Sequence, residues 1–185
     1  GEDYVNGGRQ YLEKGALAHL KGNEGATGEY CTTFYYDANH FQAPEGTQVF
    51  KAALDGTSLT LSPISDRVVN SEQGTILKSS SPYFFLTSTD NGTTSEGGYE
   101  NNSLQGTSST ITNPGNAYVL NKKKGIVGFY KLSDTGTITA GKSYLTYDGG
   151  SGARELLPFN EDPTGIKTME DGRSMTEEEG DEVWY

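Results

Sequence analysis

Apolar and polar residues alternate along much of this chain with a period of two, the pattern of strands that turn one face inward. Tyr30, Thr32, Phe34 and Tyr36 interleave with Cys31, Thr33 and Tyr35 and predict the first clear strand. Val49–Leu54 predicts a second. Asp55-Gly56 predicts a hairpin turn, and Ser58–Ser62 the returning strand, stopped at Pro63, because proline has no N–H to give a central ladder. Val68-Val69, Thr75–Lys78 and Tyr83–Thr87 predict three more. Strand character resumes at Asn116–Leu120, Ile126–Leu132, Lys142–Tyr147 and Arg154–Phe159, with turns at Asn121–Gly125 and Asp134–Gly136. No segment sustains a 3.6-residue period. Short strands at this spacing predict an all-β fold, a β-sandwich of about nine antiparallel strands over residues 30–166.

Three segments fall outside the pattern. Residues 1–29 are poorly patterned: Ala16–Leu20 fits either a short strand or a helical turn, and Gly15, Gly22, Gly25 and Gly28 interrupt it. Residues 88–116 are dominated by Ser, Thr, Asn and Gly, with Tyr99, Leu104 and Ile111 as the large apolar groups; they read as a long polar loop, ordered or mobile. Residues 167–185 read as an acidic linker leaving the domain. A weak internal echo joins Gly46–Leu77 to Gly125–Leu145, each with a Gly-containing turn between strands, so two related halves are one expectation and chance similarity the other.

Composition agrees with a β fold. Twelve Tyr and seven Phe set the chain apart from disordered sequences, although only 32 % of its residues are hydrophobic. The net charge is −11, and from Glu161 to Tyr185 nine acids stand against Lys167 and Arg173. A surface of this sign repels phosphate backbones, so no nucleic-acid partner is expected. The single cysteine, Cys31, allows no internal disulfide and reads as a small buried residue. No run is apolar and long enough to cross a membrane. Gly1 is an unusual first residue and suggests that the natural chain starts upstream.

Candidate chemistry is sparse. The imidazole bases are His19 and His40, neither in a motif that would join it to a nucleophile. Asp37, Asp55, Asp90, Asp134 and Asp148 sit in Gly- or Asn-containing turns, where carboxylates serve turn geometry. No catalytic residue is assigned. Asn160, Asp162, Thr164, Gly165 and Asp171 follow the spacing of a calcium loop, yet the first and last ligands are changed and Pro163 intrudes. No metal or other cofactor is assigned, and cation binding by Asn160, Asp162 and Asp171 is left open. For a sugar ligand the candidates are Tyr99, Asn101, Asn102, Tyr118, Tyr147 and Asp148. Aromatic faces stack on sugar rings and neighbouring polar groups hold the hydroxyls. Ordinary packing is the competing use for each ring, least so for Tyr99, which stands alone in a polar loop.

The run Asn116–Asn121, Gly125–Lys131, Gly136–Leu145, Gly152–Arg154, Phe159 and Asp162–Ile166 resembles a C-terminal β module of secreted and cell-surface proteins of gut Bacteroidales. These proteins are often adhesin-like or carry leucine-rich repeats. Tyr30–Leu77 resembles the partner half of that module, and Val183-Trp184-Tyr185 the start of the region that follows it. The resemblance spans residues 30–166, and residues 88–116 look inserted. It implies an extracellular or cell-surface setting and a non-catalytic structural or protein-interaction role. The partners would be neighbouring domains of a larger surface protein, with a host protein or a glycan beyond them. The alternative is a carbohydrate-binding module using aromatics near residues 88–116. Burial of Tyr99, Tyr118 and Tyr147 favours the first; a shared concave patch favours the second.

Overall fold

A computed structural model describes residues 17–24, 28–89, 94–149 and 154–161. Among these residues the fold is all-β, with seventeen strands and no helix. An N-terminal sheet orders Leu17–Lys21 (β1), Tyr83–Ser88 (β9), Phe41–Gln42 (β4) and Val68–Val69 (β7). A central sheet orders Phe159–Glu161 (β17), Ser58–Pro63 (β6), Thr47–Asp55 (β5), Thr75–Ser79 (β8), Tyr30–Phe34 (β3) and Asn23–Glu24 (β2). A C-terminal sheet orders Gln105–Gly106 (β10), Ser143–Thr146 (β15), Ala117–Lys123 (β12), Ile126–Lys131 (β13) and Leu156–Leu157 (β16). Ile111–Thr112 (β11) and Thr137–Ile138 (β14) form a small ribbon. All pairings are antiparallel except that of β17 with β6.

The central sheet explains the layering. Successive strand residues point to opposite faces, and here both faces are apolar. On β5, Val49 joins one core while Phe50 and Ala52 join another; on β8, Leu77 joins the first and Ile76 the second; on β3, Phe34 joins the first and Cys31 the second. The first core packs the central sheet on the N-terminal sheet through Phe41, Val69, Phe84 and Leu86. Phe34 and Phe41 meet there edge to face, centroids 5.2 Å apart. The second core packs the other face on the C-terminal sheet through Tyr118, Phe129, Leu145 and Leu157. A third, smaller core of Ala117, Ile138 and Tyr144 seats the ribbon. The packing thus goes beyond one pair of facing sheets.

Two hairpins follow from their turn residues. Asp55 pairs with Ser58 around Gly56-Thr57, with Gly56 at φ 62°. Lys123 pairs with Ile126 around Lys124-Gly125, both at positive φ (53° and 81°), as a primed turn requires. The two echoing segments differ in topology. In the central sheet β5 lies between β6 and β8, whereas β13 and β15 flank β12 and do not pair with each other. The N-terminal segment contributes β1 and β2, which settles its Ala16–Leu20 alternative as strand over Leu17–Lys21. Residues 88–116, expected as one polar loop, carry β10 and β11. The acidic linker at 167–185 lies outside the described residues.

Candidate functional site

Tyr99 is the ring whose sequence context offers the least reason for burial, and it is buried, at 8 % exposure, in the first core. Its hydroxyl donates to the Val68 carbonyl at 2.7 Å, and burial pushes the phenol well above its usual pKa. A reciprocal pair tethers the approach to it: Ser95 N–H donates to Asn70 Oδ1 at 2.8 Å and Asn70 Nδ2 donates to the Ser95 carbonyl at 3.1 Å.

Asn102 works as a substitute strand. β8 covers β5 only from Thr47 to Phe50. Beyond that point Ala52 N–H donates to Asn102 Oδ1 (3.1 Å), Leu54 N–H donates to Ser103 Oγ (2.9 Å), and Ser103 N–H donates to the Ala52 carbonyl (2.7 Å). Asn102 Nδ2 in turn donates to Gln73 Oε1 and the Gly74 carbonyl. Asn101 is exposed at φ 60°, a left-handed position that asparagine tolerates. Tyr118 is fully buried in the second core, donates its hydroxyl to the Arg154 carbonyl, and meets Tyr147 edge to face at 5.9 Å. Burial raises the Tyr118 phenol, with Tyr147 and Glu155 adding to the shift. Tyr147 is half-buried against the same core and Asp148 is exposed.

The six candidates therefore do not form one surface. Tyr99 lies on one side of the central sheet, Tyr118 and Tyr147 on the other. Among the described residues the exposed large rings are Tyr83 and Phe85, 44 % and 46 % exposed on the outward face of β9. They sit opposite Lys21 and His19 of β1. Their alternation is legible in the sequence, but which face of that strand is covered is not.

Two clefts open along the central sheet. The smaller, about 290 Å³, includes Cys31, Lys78 and Phe159 in its lining. The Lys78 ammonium stands over the rings of Phe50 and Phe159 at 5.5 and 5.6 Å. Burial pushes the Cys31 thiol up to about 12, against the pull of Lys78 and Lys142, so the thiolate needed of a nucleophile is scarce at neutral pH. Close by, a buried polar seam ties the central and C-terminal sheets. Ser143 Oγ donates to the Phe34 carbonyl at 2.8 Å and accepts from Thr75 N–H at 3.1 Å, while Ser143 N–H donates to Thr33 Oγ1. Lys142 Nζ donates to Thr32 Oγ1 at 3.2 Å. Although the residue as a whole is half-buried, its ammonium lies among protein atoms, and burial pushes its pKa down to about 8.

The larger cleft, about 490 Å³, opens where β5 and β6 meet the end of β8 and the approach to β3, with Glu29, Thr47, Ser65, Arg67, Ser79 and Ser80 in its lining. Arg67 closes the turn after β6: its N–H donates to the Ile64 carbonyl at 3.0 Å, its carbonyl accepts from Ala43 N–H, and its φ is 58°. The sequence does not single out Arg67, because Ser65-Asp66-Arg67 has the composition of an ordinary turn. The unusual feature is its backbone conformation, which no motif announces.

Of the histidines weighed as catalytic bases, His40 accepts through Nδ1 from Ser71 N–H at 2.9 Å, a structural use. Among the described residues no group of three or more His, Cys, Asp or Glu is placed to hold a metal ion. Asn160 lies on β17, whereas Asp162 and Asp171 of the calcium-loop spacing lie outside the described residues. No protein-family model matches this chain, and no curated protein or solved structure matches it significantly.

Proposed function

We propose that this chain is a non-catalytic structural and protein-interaction module of a bacterial surface protein, placed outside the cell beside neighbouring domains. The observation that carries the reading is the use made of its candidate side chains. Tyr99 and Tyr118 spend their hydroxyls on backbone carbonyls, Asn102 spends its carboxamide on backbone groups and Gln73, and the Tyr rings fill cores. A catalytic site concentrates its titratable groups around a reacting atom; here His40 accepts from a backbone N–H instead. The resemblance of residues 30–166 to modules of secreted Bacteroidales proteins supports the extracellular setting.

The test is a turnover panel of chromogenic glycosides, esters and peptides, run beside surface-plasmon-resonance binding to extracellular-matrix proteins. Saturable binding to a protein without turnover is the expected result. Turnover of any substrate that persists through repurification sinks the reading.

Carbohydrate binding is a second reading, favoured by one observation: Tyr83 and Phe85 present two rings on one outward sheet face. A glycan array with Tyr83→Ser/Phe85→Ser as the comparison tests it. Binding lost in the variant supports carbohydrate recognition, and binding unchanged by it removes these rings from the site.

A further inference from the structure

We infer that the cleft at the end of β5, β6 and β8 takes an acidic sugar, one ring bearing a single carboxylate, with Arg67 as the carboxylate partner. The inference goes beyond both readings: it places a site away from Tyr83 and Phe85 and names the ligand class.

The argument begins with the backbone. Arg67 holds φ 58°, a conformation in which glycine is unstrained and a residue with a Cβ is not. Glu72 and Lys124 share this conformation in turns, and what sets Arg67 apart is the place of its head at the cleft. Arg67 Nε donates to the Ala43 carbonyl at 3.3 Å. That bond anchors the guanidinium plane. Its two terminal nitrogens have no partner among the described residues, and the side chain is half-buried at the cleft. A planar fork with two parallel N–H donors matches a carboxylate bidentately, and partial burial strengthens such a pair.

The rest of the lining selects the class of acid. Thr47, 5 % exposed, brings a hydroxyl to the lining. Ser65, Ser79 and Ser80 add further hydroxyls. Glu29 adds an acceptor without a donor. It repels sulfate and doubly charged phosphate, which bring more negative charge than a single carboxylate. It suits a ligand that donates O–H groups while carrying one carboxylate elsewhere, as a uronic acid does. The cleft volume of about 490 Å³ lies within the range of small-molecule sites, roughly 300–1,000 Å³. The net charge of −11 disfavours a long polyanion more than a single acidic unit.

The test is a two-dimensional amide NMR titration of the full chain with four probes: sodium glucuronate, the methyl ester of glucuronic acid, cellobiose, and an acetylated tripeptide with a free C-terminal carboxylate. Glucuronate is expected to shift the amides of Thr47, Ser65, Arg67 and Ser79. The ester is expected to bind at least about tenfold more weakly, a loss of about 1.4 kcal/mol. Arg67→Gly is expected to lose glucuronate binding while melting no lower than the parent, since glycine relieves the strained φ. Equal binding of acid and ester, or full binding by Arg67→Gly, overturns the inference. Tighter cleft binding by the tripeptide overturns the sugar assignment. Cellobiose shifting Tyr83 and Phe85 while glucuronate leaves the cleft unmoved overturns the cleft and leaves the carbohydrate reading standing. Silence from every sugar overturns both. If Arg67→Gly does not fold, the acid-against-ester comparison on the unmodified chain decides the matter.

Discussion

Asn102 stands beside the half of β5 that β8 does not reach, and its carboxamide accepts from two backbone N–H groups and donates to two oxygens there. Asn102→Ala leaves part-buried ladder groups unpaired and is expected to cost about 2–3 kcal/mol, read as a lower denaturation midpoint at unchanged slope. Lys142 gives a pH signature. Its folded pKa is about 8 against an ordinary 10.5. Below pH 8 both states carry the proton, and the folded state bears the full penalty of the buried charge. Between about 8 and 10.5 the unfolded chain holds a proton that the folded domain has released, so this group makes stability rise with pH across that window. Melting temperatures taken at rising pH through that window should show the rise, and Lys142→Met should flatten it. At this scale the sequence marks Tyr99, Asn102 and Tyr118 as unusual in context but not what they touch. Tyr99 reaches the Val68 carbonyl, 31 residues away, and no local pattern encodes such a pairing.

Turns are the elements that local chemistry determines best. Asp55-Gly56 predicts a hairpin and forms one, because Gly56 adopts positive φ at no steric cost. The Lys-rich turn at Asn121–Gly125 narrows to Lys124-Gly125. Gly125 is at φ 81°, so Gly125→Ala is expected to cost about 1 kcal/mol by chemical denaturation. Gly74 has a different role. A Cβ there would lie 2.7 Å from Leu104 Cβ and 3.0 Å from the Gln105 carbonyl oxygen. The segment after Asn102 passes against β8 at this point, and backbone cannot retreat as a side-chain tip can. Gly74→Ala is expected to lose about 1–3 kcal/mol through overpacking, again read from the unfolding midpoint. Two-residue strands such as β4, β10 and β11 leave no mark in the sequence pattern. Two residues carry no period; such strands exist because a neighbour offers ladder partners.

The whole molecule is a stack in which the central sheet belongs to two cores at once. Loosening either core should therefore loosen the same unit. Leu61→Ala in the second core and Leu86→Ala in the first are each expected to cost about 2–5 kcal/mol and to lower one shared transition. Scanning calorimetry that resolved two transitions, each moved by one variant alone, would show the layers to be independent. Alternation and turn chemistry alone specify the all-β class, the long strands with their inward residues and the glycine-dependent turns. Each of these depends on side-chain period or dihedral freedom within a few residues. Assembly of the layers supplies the rest: β3, β5 and β8 are covered on both faces, Tyr99 and Tyr118 lie in different cores, and Arg67, Glu29 and Thr47 line one cleft. An apolar run in a strand records only that it will be buried. Which sheet covers it depends on contacts between residues far apart in the chain, whose closing entropy is met only when the layers assemble together.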